Sequence, residues 1–309
     1  MTRQSIVFPG QGSQEKGMGR ELAETWADAM DLWKEAEKSS GAPLREIYWD
    51  GEDKDMAETR YLQPALTVVN VSLWGYFKGR LDAAAVAGHS LGEYSALCAA
   101  GVLSARDILK LVSLRGRLMS EAAAGGGDGR MAAVLKAPQE TVEQLVRDAA
   151  EATGKTILVA NYNTPAQFVV SGNGPAVDHV CAAAKGVKAR AMALPVSGAF
   201  HSPLMNEAAA ELSGVMKKME WKTPTIPVWF NATAATEADP AAIAGIMDRQ
   251  MTSSVFWTQI VTKQYEEGIR FFVELGPKGV LTKMVSQILK GREDVEVENV
   301  SGVQGSFPA

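Results

Sequence analysis

The pentapeptide Gly88-His89-Ser90-Leu91-Gly92 constrains this chain more than any other stretch, because a G-x-S-x-G run between a strand and a helix has few backbone solutions. The apolar run Ala83-Ala84-Ala85-Val86-Ala87 before it suits a buried strand. Leu91 to Ala100 after it has helical composition and meets a C-terminal stop at Gly101. At so sharp a turn the serine hydroxyl is pushed into the open, and the flanking glycines are required because side chains there would collide across the bend. The helix start supplies free backbone N–H groups and a positive dipole end, suited to a developing oxyanion. Alone, the pentapeptide reads more readily as a plain glycine-rich turn. Its flanking strand and helix make it a nucleophile elbow at Ser90, and hence a sign of covalent acyl chemistry.

A serine nucleophile needs a base, and the chain has three histidines. His89 adjoins the serine, and neighbouring side chains diverge at an elbow. His179 lies in Pro175-Ala176-Val177-Asp178-His179-Val180-Cys181, which reads as an amphipathic helix with a surface or half-buried histidine. His201 lies in the turn-rich loop Pro195 to Met205, the kind of segment that carries function. It is the expected base.

The 309 residues accommodate one large domain or two modest ones, and 46% apolar with 22% charged residues is a globular composition with a sizeable core. No apolar run has the length of a membrane span, and the N-terminus runs straight into strand-like Ile6-Val7-Phe8. Neither signal peptide nor membrane is expected, and the expected location is cytoplasmic. Cys98 and Cys181 sit among alanines on expected helices and read as buried free thiols, with no metal-ligand spacing. A net charge of −5 argues against a nucleic-acid partner. Basic stretches occur at Lys185 to Arg190 and around Lys278 to Lys290; they read first as solvated surface.

Ala122 to Gly129 reads as a flexible junction. Beyond it the pattern is strand (Met131 to Leu135), helix (Pro138 to Ala152) and strand (Thr156 to Ala160). A turn at Asn161-Tyr162-Asn163-Thr164-Pro165 leads to strand (Phe168 to Ser171), helix (Pro175 to Ala184) and strand (Lys188 to Leu194). That order is the ferredoxin-like split βαβ pattern, with ends expected close together. Outside it, strand-like runs at Ser5 to Phe8, Ala83 to Ala87, Val228 to Asn231 and Phe271 to Leu275 lack full period-two alternation, as in a parallel sheet covered on both faces. Helical runs are expected at Glu21 to Glu37, Pro64 to Phe77, Ala105 to Glu121, Asn206 to Met219 and Val255 to Glu267. The expected fold is α/β: a hydrolase-like parallel-sheet domain of residues 1–128 and 196–309, interrupted by a ferredoxin-like α+β subdomain of residues 129–195.

Six ordered motifs, spanning nearly the whole chain, resemble one family. They are Phe8-Pro9-Gly10-Gln11-Gly12-Ser13-Gln14, Gly88-His89-Ser90-Leu91-Gly92-Glu93-Tyr94-Ser95-Ala96-Leu97 and Arg115-Gly116-Arg117-Leu118-Met119. The others are Asn161-Tyr162-Asn163-Thr164-Pro165-Ala166-Gln167, Phe200-His201-Ser202-Pro203-Leu204-Met205 and Glu274-Leu275-Gly276-Pro277. The family is the malonyl-CoA:acyl-carrier-protein transacylases of fatty acid synthesis, with polyketide-synthase acyltransferase domains as relatives. The chain departs from the usual pattern at Lys278, where a second glycine commonly follows the proline, and at Gly198 before the histidine.

The resemblance implies that Ser90 attacks a thioester while His201 takes its proton, and that the backbone N–H groups of Gln11 and Leu91 hold the oxyanion. It implies that the backbone carbonyl of Gln250, rather than an acid, orients His201. It makes Arg115 a clamp for the free malonyl carboxylate, through the planar fork that a lysine lacks, whereas Arg117 is expected to face solvent. Met119, Asn161 and Phe200 are implied in acyl binding, Phe200 and Leu91 matching the malonyl rather than the methylmalonyl form. The implied reaction is ping-pong transfer from malonyl-CoA to the phosphopantetheine thiol of acyl carrier protein through malonyl-Ser90, with no metal and no bound cofactor. A basic rim for the acidic carrier is expected from Lys185, Lys188 and Arg190. A monomer is expected, and a chain ending at Ala309 with no second module favours fatty acid synthesis over a free-standing polyketide-synthase acyltransferase. The rival class is a serine hydrolase or thioesterase, but no histidine follows His201, unlike the layout of ordinary α/β-hydrolases. A non-enzymatic binding module would need neither Arg115 nor a lone loop histidine.

Overall fold

The computed structural model describes residues 3–125, 128–196 and 198–304. Gly126 and Gly127 of the expected junction, Ser197 of the histidine loop and both chain ends lie outside them. The strands, in chain order, are β1 (Gln4–Phe8), β2 (Ala83–Gly88), β3 (Gly129–Leu135), β4 (Ile157–Thr164) and β5 (Gln167–Asn173). They continue with β6 (Arg190–Ala193), β7 (Val228–Phe230), β8 (Ala235–Thr236), β9 (Phe271–Leu275) and β10 (Glu296–Val300).

Six of them form one sheet in the order β10-β9-β1-β2-β7-β8, parallel throughout except for the β7–β8 pair. Successive residues of its central strands enter different cores. Ile6, Phe8, Val86 and Val273 pack into one core with the helices Ala27–Ser40, Thr59–Phe77 and Ala105–Ala124. Val7, Ala87 and Phe272 pack into another with the helices Trp257–Glu266 and Val280–Ile288. Both faces are therefore dry, which is why these strands read as continuous apolar runs. The strand order reverses direction around β1 and β2, so loops at their carboxyl ends open a crevice there, as in other open α/β sheets. Ser90 follows β2 directly.

The other four strands form an antiparallel sheet in the order β4-β5-β3-β6, the ferredoxin-like arrangement, with the helices Gln139–Thr153 and Gly174–Ala183 on one face. Ala132 and Val134 of β3 point to those helices with Val142, Phe168 and Val180. Met131 and Ala133, one pleat out of step, face the crevice instead. A Cβ placed on Gly129 would stand 2.8 Å from Ala199 N, so the chain leaves and rejoins the larger sheet at neighbouring points.

Several boundaries differ from the sequence expectation. The expected turn at Asn161 to Pro165 is strand: β4 runs to Thr164, paired with Gln167, and the chain reverses over Pro165 and Ala166. Register shifts after Val159 and Tyr162 absorb the turn-prone asparagines as bulges. The helix expected over Glu21 to Glu37 is two, Arg20–Thr25 and Ala27–Ser40, broken at the extended Trp26, whose indole packs over Gly75 and against Tyr76. The helix expected to begin at Pro64 begins at Thr59 and carries the proline inside. The edge strand β10 and the helices Pro240–Asp248 and Val280–Ile288 were not expected. No helix among the described residues is long and apolar enough to cross a membrane.

Candidate active site

The elbow is held by close packing at its glycines. A Cβ on Gly88 would fall onto the carbonyl group of Gly92, and a Cβ on Gly92 would fall onto the carbonyl oxygen of Phe8. A Cβ on Gly10 would strike the carbonyl oxygen of His89. The loop after β1 is thus seated on the elbow, with Leu91 N only 3.6 Å from the Gly10 Cβ position. Ser90 itself stands at φ 50°, in the left-handed region that non-glycine residues rarely adopt.

Ser90 Oγ lies 2.7 Å from His201 Nε2. His201 Nδ1 lies 3.2 Å from the carbonyl oxygen of Gln250 and 3.0 Å from that of Ser253. Two carbonyl acceptors fix the proton on Nδ1 and leave Nε2 to accept from the serine hydroxyl. The expected Gln250 carbonyl is there, and the Ser253 carbonyl, which sequence reasoning missed, is the nearer. Burial, reinforced by the positive charge of Arg115 and by His89, pulls the His201 pKa down to about 3, so the imidazole is neutral at physiological pH.

Arg115 is buried, 1% exposed, on the helix Ala105–Ala124. One of its terminal nitrogens donates to Gln63 Oε1 at 2.9 Å. The other reaches Ser90 Oγ and Gln250 Oε1, each at 3.2 Å. These acceptors are neutral, and its buried Nε has no hydrogen-bond partner. An unpaired buried guanidinium beside a nucleophile is a costly arrangement that suits a site waiting for an anionic ligand. Arg117 faces solvent, as expected, and pairs with Glu121 and Glu211.

A cavity of about 250 Å³ opens over Ser90. Gln11, Leu91, Met119, Asn161 and Phe200 all stand on its wall with Arg115 and His201, whereas Gln250 lies behind it. Its far wall is the open face of the four-stranded sheet. A larger hollow of about 820 Å³ beside Lys110 and Arg117 contains no histidine to serve as a base. His89 is half-buried on the cavity wall, with Nε2 2.8 Å from Asn163 Oδ1 and its ring edge-on to Trp257, so it is not the serine's base. His179 is half-buried on its helix, as expected.

Three side chains behind the nucleophile were given no role by the sequence, although Glu93 stands in the elbow motif. Asn231, just after β7, accepts from Ser90 N at 2.7 Å and donates to the Gly88 carbonyl at 2.7 Å, spanning the elbow. The Gln250 side chain donates to the Ser90 carbonyl and to Glu93 Oε2, each at 2.9 Å. Glu93 is completely buried and takes the Asn231 N–H on its other oxygen at 2.7 Å. The insert is stitched to the same region. Val255 N donates to Ala160 O at 2.8 Å, Tyr162 N to Val255 O at 2.9 Å, and Ser254 Oγ to Val159 O at 2.7 Å. The segment whose carbonyls hold His201 therefore runs directly into the one that holds β4.

The family of the acyl transferase domain matches residues 6–305. A Salmonella typhimurium protein named malonyl CoA-acyl carrier protein transacylase is 37% identical over 292 residues, 94% of each chain. A crystal structure of an acyl carrier protein S-malonyltransferase from Vibrio cholerae superposes with a TM-score of 0.91 at 37% identity, covering 98% of both chains. A malonyl-transacylase solved in complex with a type II PKS acyl-carrier protein superposes with a TM-score of 0.90 at 33% identity, covering 97% of this chain and 96% of its own.

Proposed function

The chain belongs to the acyl transferase domain family, and we infer from that membership and from the site that it moves a malonyl group from malonyl-CoA to the phosphopantetheine thiol of acyl carrier protein. The observation that carries the acyl choice is the buried, unpaired Arg115 within 3.2 Å of the Ser90 hydroxyl. A free carboxylate on the acyl group would find a guanidinium already desolvated and aimed at the reacting oxygen.

Ser90 Oγ attacks the thioester carbonyl while His201 Nε2 takes its proton, and the N–H groups of Leu91 and Gln11 receive the oxyanion. Collapse breaks the carbon–sulfur bond, His201 returns the proton to the departing CoA thiolate, and malonyl-Ser90 remains. The carrier's thiol then enters the same cavity, gives its proton to His201 and attacks the ester. Its collapse breaks the carbon–oxygen bond and restores the Ser90 hydroxyl. Once the malonyl carboxylate neutralises Arg115, the imidazolium formed in each attack faces less repulsion, so the right acyl group also strengthens the base.

Protons move through His201 and charge is held by backbone dipoles and Arg115, so the proposed reaction needs no metal and no bound cofactor. We propose a monomer working in the cytoplasm, with residues 129–195 as the inserted unit that roofs the cavity. Brief incubation with malonyl-CoA followed by intact-protein mass measurement tests the reading. A malonyl adduct is expected on the parent chain and not on Ser90→Ala, with Arg115→Ala accepting acetyl-CoA better than malonyl-CoA. Steady release of free malonate with no adduct would make water the acceptor and the protein a hydrolase.

A further inference from the structure

Glu93 is 0% exposed, sits in the first turn of the helix that follows the elbow, and touches neither cavity nor solvent. A carboxylate in such a place is expensive unless its oxygens meet donors. They do: Asn231 N–H at 2.7 Å and Gln250 Nε2 at 2.9 Å. The second contact dictates how the Gln250 amide lies. With its NH2 taken by Glu93 and the Ser90 carbonyl, its oxygen is left to face Arg115 at 3.2 Å. The opposite orientation would set a carbonyl against a carboxylate and a carbonyl, and an NH2 against a guanidinium. Three contacts would turn repulsive at once.

The interposed amide has a further effect. Were Glu93 itself to reach Arg115, the two would form a buried ion pair and the guanidinium would be occupied. With Gln250 between them, the negative charge offsets Arg115 at one remove and its donors stay directed at Ser90. We propose that Glu93 is a positioning residue for acyl selection: through the Gln250 side chain it aims Arg115 at the acyl group and keeps it free to take a carboxylate. The proposal rests on the reading of Arg115 as the carboxylate clamp.

Glu93→Gln keeps the volume and removes the charge, so the Gln250 amide loses its preferred orientation. The test compares kcat/KM for malonyl-CoA and acetyl-CoA in the parent chain, Glu93→Gln, Gln250→Met and the double variant, with thermal melting of each. The malonyl-to-acetyl preference is expected to fall by about tenfold or more in each single variant, the usual effect of losing one hydrogen bond to a charged group. The double variant should fall no further than the worse single one, because both act through one contact. A merely structural glutamate would lower both substrates together and leave their ratio in place. An unchanged ratio in folded Glu93→Gln, or additive losses in the double variant, overturns the proposal. Should Glu93→Gln not fold, an unchanged ratio in Gln250→Met overturns it equally. A parent chain that shows no malonyl preference fails the reading of Arg115 instead, and the two failures are distinct.

Discussion

Ser90 and His201 both stand in left-handed backbone, at φ 50° and φ 56°, and their Oγ and Nε2 atoms meet at 2.7 Å. Each such conformation costs a non-glycine residue about 1–2 kcal/mol and persists only where the surroundings over-determine it. For Ser90 those surroundings are identifiable. Its N–H is taken by Asn231 and its carbonyl by Gln250.

Asn231→Ala would orphan both Ser90 N–H and the Gly88 carbonyl inside the protein. The expected loss is about 2–4 kcal/mol of stability, from two buried groups left unpaired. The single-turnover acylation rate should fall with little change in KM, because Asn231 touches the elbow and not the cavity. Urea denaturation and rapid-quench acylation measure the two effects. A folded variant acylating at the parent rate would mean that the elbow holds its shape without this clamp.

The pH dependence separates two buried groups. His201 is held at about 3 by burial, then by Arg115 and His89, so it stays neutral and gives no inflection near its ordinary value of 6.5. Glu93 is raised to about 7 by burial, against the hydrogen bonds from Asn231 and Gln250 and the charge of Arg115 on the facing helix; Tyr94 is its other titratable neighbour. A single inflection near 7 in the acylation rate is therefore expected, and it should vanish in Glu93→Gln. An inflection that survives there would put the proton on His201.

The linked stabilities run in opposite senses. Between about 3 and 6.5 the folded His201 binds fewer protons than the unfolded one, so its contribution is present above about 6.5 and lost as pH falls. For Glu93 the folded state binds more protons between 4.5 and about 7, so its contribution is present below 4.5 and lost as pH rises through 7. Comparing denaturation midpoints of the parent and Glu93→Gln across that range reads the second effect alone.

Phe200 lines the cavity beside Arg115, and its ring edge lies 2.6 Å from where a Cβ on Gly198 would stand. The ring takes the space that a branched acyl group would need, and Gly198 takes the place where any side chain would displace the ring. Phe200→Ser is expected to raise the preference for methylmalonyl-CoA over malonyl-CoA by about ten- to a hundredfold, the range a single methyl commands in such pockets. Competition between the two thioesters measures it. An unaltered ratio would place the filter elsewhere on the wall.

Lys185, Lys188 and Arg190 are all exposed, on and just before the edge strand β6, and Val187 (43% exposed) and Met192 (42%) stand among them. Reversing the three charges is expected to raise the apparent KM for the carrier protein by about tenfold and flatten its salt dependence, leaving acylation by malonyl-CoA unchanged. An unmoved carrier KM would assign docking to another face.

What was legible in the sequence follows a physical division. Ser90, His201 and Arg115 are the residue types that acyl transfer to and from a malonyl group demands, and they sit in local patterns that announce a turn, a loop and a helix. The β1 and β2 runs announced a sheet covered on both sides. Glu93, Asn231 and the Gln250 side chain gave no sign of their roles, because their partners lie 135 to 160 residues away in the chain. A glutamate in a first helical turn ordinarily reads as a dipole partner in solvent, and only the folded chain shows it sealed in. Asn161-Tyr162-Asn163 misled in the other direction, since pairing with β5 and with Val255 overrode a local preference for turning. The charged Glu296 to Val300 gave no apolar run to read, being an edge strand half open to water.

The stitching of β4 to Ser254 and Val255 bears on how freely the inserted sheet could be exchanged. Replacing it with one from a relative would look like changing a roof while leaving the workshop below intact. Yet the seam adjoins Ser253, whose carbonyl sets the tautomer of the base. A transplanted insert that failed to reproduce the bonds of Val159, Ala160 and Tyr162 would loosen the histidine before it altered any substrate contact. Chimeras of this architecture should accordingly be cut to carry residues 250–258 with the insert, so that the roof and the carbonyls that hold the base travel as one piece.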